Sequence, residues 1–473
     1  MIDWKLILLA LYQVMVVVAI IHVVLDNRQP AKTMAWTLVI WFVPVVGLVF
    51  YLFFGVNTRK ERLISTRSMD QLSKRSMLEF VEQRGLRLPE AYKPVIDLFV
   101  NENFSLPFKD NEVRLFSSGY DFFPVLLREI AAAKDHIHID IYIIEDDPLG
   151  NLVADALIDK RREGVEVKLI YDDVGCWNVN YQFFERMRLE GIEVVPFLPV
   201  RFPSFTSKVN YRNHRKLIVI DGRTGFIGGM NIALRYVKGS GGQEWHDLML
   251  QVTGNGVYSL QRAFLVDWYF VDRTQISNRK YYPPVEGIAN DCILQAVTSG
   301  PVTPYPEIMQ GYVRVILTAR RYVYIETPYF LPTEPVLFAL KAAAQSGVDV
   351  RIVVPYRSDA RFVEWAGRSY LREVEEAGAT VLLYRNGFLH AKMMVCDDAI
   401  CTCGSTNVDF RSFENNFESN VFIYSSQVAA EMRQLFEADA QHCQPLSALS
   451  ERMHPGFLSR LGESMVRMLS PLM

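Results

Sequence analysis

Two long apolar runs open the chain. Residues 6–25 (LILLALYQVMVVVAIIHVVL) and 34–55 (MAWTLVIWFVPVVGLVFYLFFG) contain no Asp, Glu, Lys or Arg. Each is long enough to cross a hydrocarbon core of about 30 Å as a helix. Joined by DNRQPAKT, they predict a two-helix transmembrane hairpin over residues 1–57. A secretory signal in the same place needs a basic n-region and a small-residue cleavage site, and VVLDNRQ supplies no such site. Gln13 and His22 interrupt the first run. They are expected to face the partner helix or, for His22, the membrane interface.

Further along, the pattern becomes one of short alternating elements. HIHIDIYII reads as a strand, NLVADALIDKRREG as a helix ending at glycine, VEVKLIYDD as a strand and YQFFERMRLEG as a helix. The runs KLIVID and KMMVCD fit buried strands. The series is written twice. NHRKLIVIDGRTGFIGGMNI (213–232) and LHAKMMVCDDAICTCGSTNV (389–408) align without a gap at an offset of 176. Each holds His-x-Lys, four residues, Asp, then a glycine (Gly228, Gly404) and an asparagine (Asn231, Asn407) at matched distances. Upstream, GVEVKLIYDD matches GVDVRIVVPY and GIEVVPF matches GATVLLY. The expected fold is α/β: two homologous sheet-and-helix halves about a pseudo-twofold axis, preceded by the transmembrane hairpin. The expected divisions are the hairpin (1–57), a linker with leading helices (58–110), a first half (111–290) and a second half (291–473).

Bulk composition narrows the class. A net charge of −3 over 473 residues gives no whole-chain field directed at nucleic acid. The six cysteines (Cys176, Cys292, Cys396, Cys401, Cys403, Cys443) form no C-x-x-C pair, no disulfide framework and no zinc spacing, which suits a reducing compartment. Arg28 and Lys32 lie between the apolar runs, and Arg59, Lys60, Arg62, Arg67, Lys74 and Arg75 follow them. By the positive-inside rule, the larger, catalytic part then faces the cytoplasm from a multi-pass place in the inner (plasma) membrane.

The repeated motif carries the chemistry. His and Lys at i and i+2 of a strand project to one face, so His214 with Lys216 and His390 with Lys392 point into a shared space. Two lysines and two asparagines suit the equatorial oxygens of a phosphorus centre. One histidine attacks phosphorus and the other exchanges protons with the alcohols. Lysine beside histidine argues against metal ligation, and no carboxylate cluster accompanies the motifs. Asp247 (in EWHDLML) and Glu418 (in NNFESNVF) stand at comparable distances after the motifs and suit the role of fixing each imidazole. Asp221 and Asp397 either take part by orienting the strand-end loop or a lysine, or simply shape the turns DG and DD. RFPSFTSKVNYR, ahead of the first motif, rests on a membrane, gates the cavity or forms an ordinary loop, and LSRLGESMVRMLSPLM forms an interfacial helix or docks on the core.

The paired blocks resemble the duplicated His-x-Lys-x4-Asp signature of the phospholipase D superfamily. The layout resembles the superfamily's bacterial cardiolipin synthases, with WFVPVVGLVFYLFFG ahead of two intact motif halves and YIETPYFLP opening the second. The glycine step differs between copies, GGMN against GSTN. The resemblance implies phosphatidyl transfer between two phosphatidylglycerol molecules, giving cardiolipin and glycerol through a phosphohistidine, with no metal, cofactor or nucleotide. It places the catalytic set at His214, Lys216, Asp221, His390, Lys392 and Asp397, with His214 as nucleophile. The motifs leave open a hydrolase or a transferase with another alcohol acceptor. A nuclease or a membrane scaffold fits poorly, since nothing else in the chain is strongly basic and a scaffold needs neither histidine.

Overall fold

The computed structural model describes residues 4–26, 30–55, 88–200, 210–274, 276, 278–303 and 305–470. The basic run from Arg59 to Arg75, Arg28, and residues 201–209 of the segment before the first motif lie outside these.

The N-terminal region corrects the expected transmembrane hairpin. Trp4–Asp26 (α1) is helical, but the second predicted span is two helices, Pro30–Phe42 (α2) and Pro44–Phe54 (α3). The break is at Val43, whose φ of −131° leaves the helical region, and Pro44 then starts a new helix. Thirteen and eleven residues give about 20 and 17 Å of helix. Among the described residues no helix is long and apolar enough to cross a membrane. The three helices meet through Val16, Val23, Trp36, Ile40 and Tyr51, and His22 sets its ring edge-on to Tyr51. Leu11, Val14, Val18, Trp41, Phe42 and Val46 are left exposed.

The two halves are as the repeat predicts. The first contributes β1 (Asn111–Phe116), β2 (His136–Ile141), β3 (Glu166–Asp172), β4 (Glu193–Phe197), β5 (Lys216–Ile220), β6 (Thr224–Gly228), β7 (Trp245–His246) and β8 (Met249–Gly254). The second contributes β9 (Ile293–Ser299), β10 (Tyr322–Glu326), β11 (Phe330–Leu331), β12 (Asp349–Pro355), β13 (Thr380–Tyr384), β14 (Phe388–Leu389), β15 (Met393–Cys396), β16 (Ile400–Gly404), β17 (Val408–Asp409), β18 (Glu418–Tyr424) and β19 (Cys443–Pro445). The first sheet runs β1-β8-β6-β5-β2-β3-β4 and the second β9-β18-β16-β15-β10-β12-β13-β19, the same order with one added edge strand. β2, β3 and β4 are parallel, with helices such as Pro148–Arg162 crossing between them, and β10, β12 and β13 repeat this.

One apolar cluster lies between the sheets, drawn from both: Leu217, Leu250, Phe264 and Trp268 meet Met393, Val421 and Phe436. Each sheet has a second cluster on its outer face. The helix Lys93–Asn103, which precedes the first half, packs on the second instead, with Phe99 against Phe422 at 4.5 Å between ring centres.

Candidate active site

The site is assembled by two short inter-half ladders. β7 pairs in parallel with β14, so Phe388 faces Trp245 and Leu389 faces His246. Its pseudo-symmetric counterpart is a parallel bridge between Asn213 and Phe417. His390 donates its backbone N–H to the carbonyl of His246 at 2.6 Å, and His214 donates to that of Phe417 at 2.9 Å. The segment leading into each motif is thereby tied to the segment carrying the other half's carboxylate.

The consequence is an exchange of partners. Nδ1 of His214 lies 3.0 and 3.1 Å from the two carboxylate oxygens of Glu418. Nδ1 of His390 lies 2.7 Å from Oδ2 of Asp247. Each imidazole is oriented by an acid from the opposite half. A proton held at Nδ1 leaves Nε2 with its lone pair free. Burial is the main reason both histidines resist protonation: His214 is lowered to about 4 and His390 to about 3. Burial also opposes ionisation of the acids, but Lys392 and His390 hold Asp247 below the usual carboxylate range, and His214, Lys216 and Ser405 do so for Glu418.

The lysines lie beneath the histidines. Lys216 donates to the carbonyl of His214 at 2.6 Å, with its ammonium 5.0 Å from the centre of the Tyr142 ring. Lys392 donates to the carbonyl of His390 and lies 2.9 Å from its Nδ1. Burial lowers Lys216 to about 7 and lowers Lys392 as well.

His214, His390, Asn231 and Asn407 line one cavity of about 510 Å³. Asn231 is held at both ends: its carbonyl accepts from Ile143 N at 3.1 Å and its amide donates to Tyr236 at 2.8 Å. Among the described residues the side-chain carbonyl of Asn407 meets no hydrogen-bond donor. Arg212, Arg235 and Arg411 line the walls together with Asp359 and Asp409, and Tyr142 stands edge-on to His214 at 4.9 Å.

Asp221 and Asp397 are elsewhere. They follow the far ends of β5 and β15 in left-handed backbone (φ 53° and 56°). Asp221 accepts from the backbone N–H groups of Lys134, Asp135 and His136 at 2.8–3.0 Å. Asp397 accepts from those of Arg320, Arg321 and Tyr322 at 2.7–2.9 Å. Neither lines the cavity.

Sequence reasoning missed one residue whose signal was in view. GGMN and GSTN differ at two aligned positions, Gly229 against Ser405 and Met230 against Thr406, and the first pair bears on the carboxylates. The Ser405 hydroxyl donates to Glu418. A Cβ on Gly229 would lie 2.1 Å from Oδ1 of Asp247. The two letters record two ways of seating the carboxylate. Asn416 also reaches Glu418, at 3.2 Å.

Among the described residues, the one close group of metal-ligand types is His246, Glu326 and Asp439, and none of its members lines the cavity.

Comparison with known proteins agrees with this geometry. The family described as "Cardiolipin synthase, PLD-like domain" matches residues 126–268 and 312–440, more than half of the chain, and "Phospholipase_D-nuclease N-terminal" matches 14–55. A cardiolipin synthase of Oceanobacillus iheyensis is 37% identical over 97% of both chains. The major cardiolipin synthase ClsA of Bacillus subtilis is 36% identical over 99% of both. Among solved structures, phosphatidylserine synthase of Haemophilus influenzae covers 80% of this chain and all of its own at a TM-score of 0.63 and 16% identity, a likeness of fold. With both motif halves matched and more than a third of positions identical to these relatives along nearly its whole length, the chain belongs to the cardiolipin synthases, phosphatidyltransferases of the phospholipase D superfamily.

Proposed function

We propose that the cavity moves a phosphatidyl group from one phosphatidylglycerol to another by way of a phosphohistidine on His214, giving cardiolipin and glycerol. The observation that carries this reading is the pair of imidazoles at one cavity, each held at Nδ1 by a carboxylate from the opposite half. Nε2 of His214 attacks phosphorus, the P–N bond forms, and the P–O bond to glycerol breaks as His390 gives its proton to the departing oxygen. The terminal hydroxyl of a second phosphatidylglycerol then loses its proton to His390. Its oxygen attacks phosphorus and the P–N bond breaks. His390 is neutral in the free site, and a phosphodiester anion beside it favours the proton it must carry. Asn231 and Asn407, which line the cavity, take the equatorial oxygens, and Lys216 and Lys392, buried behind the histidines and not in the lining, add positive charge from beneath. Asp221 and Asp397 serve the turns that hold the strands.

The substrate places the reaction at a phospholipid bilayer. The apolar side chains exposed on α1–α3 support contact with it. The six cysteines, all free, suit the cytoplasmic face of the plasma membrane.

The test supplies the purified chain with labelled phosphatidylglycerol alone. Cardiolipin and glycerol should form in equal amounts. Phosphatidic acid as the main product replaces the second lipid with water as acceptor and overturns the reading. In His390→Ala, label should accumulate on residue 214. Accumulation instead on His390 in a His214→Ala chain reverses the two roles.

A further inference from the structure

The C-terminal helix Phe457–Arg467 is built inside out for a helix in water. Two of its three charged residues, Glu463 and Arg467, face the protein, and Arg460 is exposed. Glu463 is buried against Arg372, and Arg467 pairs with Glu373 at 2.6 Å, donates to Ser369 at 3.0 Å and covers the Tyr370 ring at 4.0 Å. Its apolar residues face outward: Phe457 and Leu458 are 79% and 81% exposed, and Leu461, Met465 and Met468 continue the stripe. The helix it docks on, Arg361–Glu376, adds exposed Phe362 and Trp365, and Trp365 adjoins Gly462. Hydrophobic surface gathered on one side while ion pairs are spent on the other marks a surface meant for an apolar phase.

The patch borders the reaction cavity. Ala360 and Val363, at the start of the supporting helix, and Ser470, just beyond the C-terminal helix, all line that cavity. Arg361 and Arg460 are exposed on the same two helices and Arg357 on the loop before the first of them, where guanidinium groups complement anionic headgroups. We propose that this face docks on the surface of an anionic phospholipid bilayer and sets the cavity mouth at headgroup level, so that a lipid reaches the histidines while its acyl chains stay in hydrocarbon. A protein partner seated on the same face would cover the rim through which the lipid must pass. A tryptophan beside a row of aliphatic side chains is the usual composition of a segment lying in a membrane interface.

The inference rests on the phosphatidyl-transfer reading, and its test separates the two. The full-length chain and its Leu458→Gln/Leu461→Gln variant are assayed on phosphatidylglycerol vesicles and on monomeric short-chain phosphatidylglycerol. The variant should lose at least tenfold on vesicles and stay within twofold on the monomeric lipid. Equal activity of the two proteins on vesicles overturns docking. Equal loss on both substrates overturns it too, because the patch then supports the cavity rather than a bilayer. Failure of the wild-type chain on both substrates sinks the transfer reading instead. A second measurement needs no loss of activity: vesicles of brominated phosphatidylglycerol should quench a component of tryptophan fluorescence that is missing in Trp365→Phe. Undiminished quenching in that variant places Trp365 away from lipid and overturns the proposal. Conversion of a dimer to monomers by the Leu458/Leu461 changes, with vesicle activity intact, assigns the face to a second copy.

Discussion

At the scale of single residues, the exchange of carboxylates between halves separates two roles that the sequence makes look identical. With His214 as the proposed nucleophile and His390 as the proposed proton carrier, Glu418 acts on the first and Asp247 on the second. Glu418→Gln should slow formation of the phosphohistidine by roughly 10²-fold or more, the usual cost of removing an orienting partner. Asp247→Asn should slow both steps that pass a proton through His390, so that label still reaches His214 but is discharged more slowly than in wild type. Rapid-quench measurement of bound label checks both, and the opposite pattern exchanges the histidines' roles. Gly229→Ala should resemble Asp247→Asn, because the new Cβ would meet Asp247 Oδ1 at 2.1 Å. An unchanged rate in that variant shows that Asp247 has room to yield. Lys216, lowered to about 7 by burial, should lose its charge as the free enzyme passes neutrality. If that charge holds the phosphate, kcat/KM falls on the alkaline side with a midpoint near 7, and Lys216→Arg, which cannot be deprotonated there, moves the limb upward.

At the scale of elements, the proposed role of the motif's third letter is construction. Asp221 and Asp397 each gather three backbone N–H groups at the start of the neighbouring strand, β2 or β10. Both sit at positive φ, which asparagine tolerates far better than alanine. Asp221→Ala should cost about 2–4 kcal/mol of stability, for lost charge-assisted bonds and a strained turn, and Asp221→Asn clearly less. Thermal unfolding reads the first difference. Turnover per folded molecule should stay near wild type in Asp221→Asn, and a thousandfold loss there would return this residue to the chemistry. The same strands show what could be read in advance. Strand alternation, the 176-residue offset and the His, Lys and Asn positions were legible because they repeat locally. Which acid meets which histidine was not, because that contact is made between halves about 200 or 143 positions apart in sequence. The hairpin misled for a different reason: a window free of charge measures hydrophobicity, whereas Pro44 decides where a helix must restart.

At the scale of the whole molecule, the pseudo-twofold axis relates two buried acidic pairs that are neutralised differently. In the first half Asp140 lies opposite Leu217, beside Asp267, and the pair is answered by the guanidinium of Arg215 and the amide of Asn213, at 2.5 Å. In the second half Glu326 lies opposite Met393, beside Asp439, and the positions of Arg215 and Asn213 are Ala391 and Leu389. His246 crosses from the first half instead and meets Asp439 at 2.7 Å. Glu326 is 1% exposed, and among the described residues no cationic or amide donor reaches its oxygens, which share a hydrogen bond with Asp439 instead. Burial first, and Asp439 second, hold it well above the usual carboxylate range. The folded chain therefore keeps a proton on Glu326 that the unfolded chain releases above a pH of about 4.3. With more protons bound folded than unfolded, this group's contribution to stability declines as pH rises from there. Glu326→Gln imitates the protonated carboxyl and carries no such dependence. Its unfolding midpoint should match wild type near pH 4 and exceed it at pH 7. A midpoint below wild type at pH 7 means instead that Glu326 is ionised in the folded chain and that its surroundings stabilise the carboxylate.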